Sequence, residues 1–154
     1  MNFEMTAEEL AVVDSAEQVA REVIQPLAQH YDETETFCLA SIKALGDLGC
    51  MGINLPEEYG GPGIGSLAMS RVVEAVAGAC ASTASAMTAH FLATDSILLG
   101  GTEEQKQEWL PRAASGELLG AFALTEAAAG ATPADRRRRA VREEGGWRVR
   151  GRKH

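Results

Sequence analysis

Ser82-Thr-Ala-Ser-Ala-Met-Thr-Ala-His-Phe-Leu-Ala-Thr-Asp-Ser-Ile-Leu-Leu99 is the stretch whose reading decides the fold. Its residues are mostly small or apolar on every side, the pattern of a helix buried in the middle of a bundle, and Gly100-Gly101 ends it. On its N-terminal side Ser66 is placed to cap a third amphipathic helix carrying Leu67, Met69, Val72, Val73, Val76 and Cys80 on its apolar stripe. On its C-terminal side Thr102-Glu-Glu-Gln105 has the form of a capping box. In that form hydroxyl and side-chain carbonyl each satisfy the other's unpaired backbone N–H. It opens a short helix that should close at Trp109-Leu110-Pro111.

Further out, Thr6-Ala7-Glu8-Glu9 is another capping box. Val13, Ala16, Ala20, Val23 and Leu27 follow it at helical spacing, with Asp14, Glu17, Arg21 and Glu22 on the reverse face. Pro26 should kink this helix or mark its last turns. A second helix is predicted from about Phe37 to Leu48, with Ile42, Leu45 and Leu48 inward and Gly49 as its stop. The Gly52–Gly65 stretch contains five glycines and two prolines, which excludes a helix and predicts an ordered loop. After Gly116 the period changes, and Leu118–Thr125 reads as a strand. Arg139–Arg142 and Trp147–Arg150 alternate apolar and charged residues around Glu144-Gly145-Gly146, which predicts a β-hairpin.

The 154 residues, 45% hydrophobic and 23% charged, are the proportions of a compact domain rather than of a disordered or collagen-like chain. No apolar run reaches about 18 residues and Met1-Asn2-Phe3-Glu4 does not resemble a secretion signal, so no membrane contact and a cytoplasmic location are expected. Cys38, Cys50 and Cys80 are odd in number, without CxxC spacing and set among apolar residues, which predicts buried thiols. His30, His90 and His154 are too scattered to complete a metal set with them. The net charge of −8 is unevenly spread. From Arg136 onward nine basic residues face two glutamates, giving +7, while the first 135 residues carry five basic against twenty acidic, giving −15. So acidic a body argues against nucleic acid as the main partner.

Five segments, in this order, resemble the acyl-CoA dehydrogenase family: Leu48-Gly49 through Gly52, Pro56-Glu-Glu-Tyr-Gly-Gly61, Gly101-Thr-Glu-Glu-Gln-Lys106 with Trp109-Leu-Pro111, Gly120-Ala-Phe-Ala-Leu-Thr-Glu126, and Gly146-Trp-Arg-Val-Arg-Gly-Arg-Lys153. The resemblance implies a mainly α fold. An N-terminal helical bundle of the acyl-CoA dehydrogenase type over 1–117 is followed by the first strands of a truncated β-domain over 118–154. It also implies an FAD enzyme that removes the α-proton of an acyl-CoA with a glutamate base while the β-hydride passes to the flavin. Its electron acceptor would be electron-transferring flavoprotein and its assembly a homo-oligomer. No position here matches the family's base, so no catalytic residue is assigned and the chain by itself is expected to show no turnover.

By the same resemblance Phe122, Leu124 and Thr125 are cofactor candidates on a flavin-contacting strand, continued by Gly130 and Ala131 toward the pyrophosphate. Where the family has Pro-Gly-Ala-Gly-Ser-Asp, this chain has Ala127-Ala-Ala-Gly-Ala-Thr132. The hydroxyl missing at Ala131 costs roughly 1.5–3 kcal/mol if its acceptor is charged, or about 10–150-fold in affinity. Ser85, Thr88, Ala89 and Leu92 fall at the family's acyl-pocket positions. His90 is expected to be a satisfied or partly exposed helix residue, and Glu57 and Glu58 loop carboxylates. Two alternatives remain: a non-catalytic remnant or interaction module, and a relative with non-dehydrogenase thioester chemistry. The apolar side chains after Leu118, including Phe122 and Trp147, should be partly exposed or buried against another copy.

Overall fold

A computed structural model describes residues 3–127 and 139–153. They form two compact units, Met1–Ala121 and Phe122–His154. The first contains helices α1 (Ala7–Val19), α2 (Gln25–Thr34), α3 (Leu39–Asp47), α4 (Ser66–Ala79), α5 (Ala81–Gly100) and α6 (Glu103–Ala114). The second contains β1 (Arg139–Glu143) and β2 (Gly146–Arg150).

Both capping boxes are formed. The Thr6 hydroxyl accepts from the Glu9 N–H while Glu9 accepts from the Thr6 N–H, and Thr102 and Gln105 repeat the exchange at α6. Val13, Ala16 and Ala20 are buried as the periodicity requires. Beyond them the chain loosens into one π-helical turn, Ala20–Ile24, closed by the Gln25 N–H on the Ala20 carbonyl. The extra residue in that turn rotates the stripe by one position, so Ile24 is fully buried and Val23 is exposed, contrary to the sequence reading. Pro26, which has no N–H to give, then sits in the first turn of α2, and the helix runs on to Thr34 rather than ending.

In α3 Ile42 and Leu45 point inward, but Leu48, at the C-cap beyond the last helical turn, is exposed. Ser66 does not cap α4. Gly65 holds the N-cap position, and its N–H donates to Glu9 Oε1 at 3.0 Å, so one carboxylate serves the first turns of two helices. The 52–65 loop is held by short 3₁₀ turns and by tight backbone approach. A Cβ on Gly61 would fall on the Leu55 carbonyl oxygen.

The core gathers Val13, Ala16, Ile24, Ile42, Leu45, Met51, Val72, Val76 and Met87, with α4 packed between α1 and α5. A smaller cluster joins Leu55 and Tyr59 to Leu110 and Ala114. Burial of Leu110, Ala113 and Ala114 keeps α6 helical past Pro111, where the sequence predicted its end. Helix α5 is also not buried on every side. Thr83, Ala84, Met87, His90, Phe91 and Thr94 form its core face, whereas Leu92 is 52% and Leu99 87% exposed.

Leu118–Thr125 has no strand ladder among the described residues, which corrects the predicted strand. The hairpin is present. β1 and β2 pair antiparallel from Arg139 opposite Arg150 to Glu143 opposite Gly146, across a turn in which Gly145 takes φ 85°. A positive φ at that position is what glycine permits without strain.

Candidate functional site

Residues 117–120 leave α6 along α5 and are fixed there by three contacts. The Glu117 carboxylate accepts from Arg112 Nε at 2.8 Å, the Leu118 N–H donates to the Arg112 carbonyl at 3.1 Å, and the Gly120 N–H donates to His90 Nδ1 at 2.9 Å. Because Nδ1 accepts, the imidazole proton sits on Nε2, which donates to the Met51 carbonyl at 3.1 Å. His90 is fully buried, and burial pushes its pKa below the ordinary value against the opposing pull of the Met51 and Ala113 carbonyls. It is a neutral two-sided clamp.

Beside it a cavity of about 260 Å³ is walled by Ala93, Thr94, Ile97, Trp109, Leu118 and Leu119. Asn54 closes the loop side of α5, donating to Asp95 Oδ1 at 2.6 Å and to Thr94 Oγ1 at 3.0 Å.

The acyl-pocket candidates share a face of α5 away from the core. Ser85 and Leu92 are exposed, while Thr88 and Ala89 are half-buried. The Thr88 hydroxyl is taken by the Ala84 and Ser85 carbonyls. The 260 Å³ cavity is lined by the neighbouring Ala93, Thr94 and Ile97 and by none of these four.

In the second unit, Phe122 is 42% exposed, Thr125 is exposed and Leu124 half-buried. The Leu124 carbonyl accepts from Lys153 Nζ at 2.7 Å, and the same ammonium pairs with Glu126 Oε1 at 2.8 Å. Lys153 was legible only as a motif residue, and its grip on the candidate cofactor segment depends on a contact 29 residues away. Gly130 and Ala131 lie outside the described residues. An accessible aromatic ring and an accessible hydroxyl three residues apart fit a planar, polar-edged ring system, and the Leu124 carbonyl between them is already in use by Lys153.

The three cysteines are free and buried, and burial raises the Cys50 thiol to about 11, which leaves it inert as a nucleophile. Among the described residues no group of His, Cys, Asp or Glu side chains is placed to hold a metal ion, and no helix is long and apolar enough to cross a membrane.

A helical unit of this topology leading into an extended segment and a hairpin defines the class, and sequence comparison defines the family. The profile "Acyl-CoA dehydrogenase, N-terminal domain" matches residues 6–117. "Probable acyl-CoA dehydrogenase YngJ" of Bacillus subtilis is 44% identical over 131 residues, covering 84% of this chain and 34% of that protein. "Acryloyl-CoA reductase (NADH)" of Anaerotignum propionicum is 37% identical over 130 residues, covering 84% of this chain and 33% of that protein. The solved butyryl-CoA dehydrogenase of Megasphaera elsdenii superposes with a TM-score of 0.88 at 28% identity, over 98% of this chain and 41% of that one. The chain belongs to the acyl-CoA dehydrogenase family. It spans about a third of the length of these curated relatives.

Proposed function

We propose that residues 1–117 are the helical N-terminal domain, and 118–154 the start of the middle β-domain, of an FAD-dependent enzyme that desaturates an acyl-CoA thioester between its α and β carbons. Phe122, Leu124 and Thr125 would hold the flavin, which when bound would supply an acceptor for the hydride leaving the β-carbon. The chain's own contribution is binding and placement. Phe122 offers a ring face, Thr125 a hydroxyl and Leu124 an N–H, while Lys153 and Glu126 hold the segment's backbone. By the family resemblance Gly130 and Ala131, outside the described residues, would belong to the pyrophosphate part of the same site. The open face of α5, through Ser85, Thr88, Ala89 and Leu92, forms one wall for the acyl chain. Electron-transferring flavoprotein as the acceptor, a homo-oligomeric assembly and a cytoplasmic location complete the reading.

The observation that supports it most directly is the accessibility of Phe122 and Thr125 on a segment that resembles the family's flavin strand. The 37% identity to a protein named for acryloyl-CoA reduction bears on the direction of the same α,β hydride transfer, for which the same flavin and acyl positions would serve. Titration of the purified protein with FAD, followed by flavin fluorescence and visible absorbance, should give saturable micromolar binding without acyl-CoA-dependent reduction of an electron acceptor. Absence of binding would remove the flavin assignment and leave the non-catalytic module, whose activity would be sought as a protein partner.

A further inference from the structure

The two faces of the β-hairpin differ in chemistry. Alternation places Ala140, Arg142, Trp147 and Val149 on one face, where the Arg142 guanidinium lies 6.0 Å from the Trp147 ring centroid. The other face carries Arg139, Val141, Glu143, Arg148 and Arg150, which together line a hollow of about 450 Å³. Within it Arg148 is neutralised by Glu143 at 2.6 Å. Arg139 and Arg150 are direct cross-strand partners, and neither has a carboxylate within ion-pair distance among the described residues. Like charges directly opposite each other weaken a strand pair. Two guanidinium forks facing one concavity are also the arrangement that grips tetrahedral oxyanions through paired N–H···O bonds.

We propose that this face of the hairpin is a binding site for a diphosphate or triphosphate group, with Arg139 and Arg150 as its two jaws and Val141 between them, while the Arg148–Glu143 pair adds no net charge. A monocarboxylate presents two oxygens and one charge, enough for a single fork. A polyphosphate presents oxygens in several directions and enough charge to neutralise both arginines. Long nucleic acid is disfavoured by the rest of the chain, since residues 1–121 carry five basic and eighteen acidic side chains. This inference does not depend on the flavin assignment.

The test is calorimetric titration of the whole chain with inorganic pyrophosphate, and separately with ADP, at low ionic strength. One pyrophosphate should bind per chain, with affinity falling as salt is added. R139Q/R150Q should weaken it roughly tenfold or more, and R139K/R150K, which keeps charge but loses the forks, by an intermediate factor. R142Q, on the opposite face, should change it by less than about twofold because its charge lies outside the hollow. Equal affinity for pyrophosphate and ADP would mean that phosphate alone is read, and tighter ADP binding that the natural ligand carries its phosphates on a nucleoside. Unchanged tryptophan emission in R139Q/R150Q and R139K/R150K, whose substitutions lie on the face opposite Trp147, would show the hairpin intact. No pyrophosphate binding, or equal losses in R139Q/R150Q and R142Q, would overturn the site.

Discussion

Replacing His90 with leucine removes a side chain that satisfies two main-chain groups at once, the buried Met51 carbonyl and the half-buried Gly120 N–H. Leucine fills a similar space and sheds the imidazole's own desolvation cost, so the loss is concentrated in the two groups left behind. A buried polar group without a partner costs about 1–3 kcal/mol, so the Met51 carbonyl alone accounts for a loss of about that size and the half-buried Gly120 N–H adds less than a second full penalty. Urea denaturation of the two proteins should resolve a loss of that size. Amide exchange at Gly120 should accelerate by more than the global change, because its acceptor is gone. The pH dependence carries an independent signature. Burial lowers the folded-state pKa of His90 below the ordinary value of 6.5, so below about pH 6.5 the unfolded chain takes up a proton that the folded one refuses. Stability therefore falls as pH drops from there toward the folded value, by at most about 1.4 kcal/mol per pH unit. Subtracting the His90→Leu profile from that of the wild type isolates this slope. A loss under about 1 kcal/mol, or identical slopes, would refute the clamp.

Gly61→Ala places a Cβ on the Leu55 carbonyl oxygen and 2.7 Å from the Gly52 carbonyl, both backbone atoms that cannot step aside. A destabilisation of roughly 3 kcal/mol or failure to fold is expected in thermal denaturation, and a near-neutral effect would show that the loop is looser than described. Glu9 is held below the usual carboxylate range, first by the Thr6 N–H and then by the Gly65 N–H. Its contribution is present above the ordinary value of 4.5 and is lost as pH falls through the lower folded value. Glu9→Gln should flatten acid unfolding in that window, and superimposable acid profiles would remove Glu9 as the tie between α1 and α4.

What could be read in the sequence was what is written locally. Thr6 with Glu9, Thr102 with Gln105, Gly49 after α3 and Gly145 in the hairpin each act within a few residues, and each appears where its residue type predicts. Ile24 displaced Val23 because a π-helical turn changes the phase of a stripe, and no residue type announces that turn. The exposed side of α5 was hidden by its composition. When Leu92, Ala93 and Leu99 are as apolar as Met87 and Phe91, hydrophobicity has no contrast from which a face can be read. The role of His90 was out of reach for a third reason, since its partners lie 39 and 30 residues away. Family resemblance named the candidate site residues, but not that Lys153 holds the Leu124 carbonyl.

The failed strand is the most informative difference. The apolar run Leu118–Thr125 reads as a strand by its change of period after Gly116, but a strand also needs a neighbour to take its N–H and C=O groups. At Leu118 and Gly120 those bonds go to helices instead: the Arg112 carbonyl at the end of α6 and the His90 ring in the middle of α5. A side-chain acceptor has done the work of a ladder. The consequence is a fixed end to the helical unit at Gly120 that owes nothing to sheet formation. Glycine at 120 is required by the same arrangement, because a Cβ there would sit 2.7 Å from that of Ala93. The apolar run and the absence of a ladder are therefore compatible. The clamp on Gly120 determines what the backbone there is bonded to.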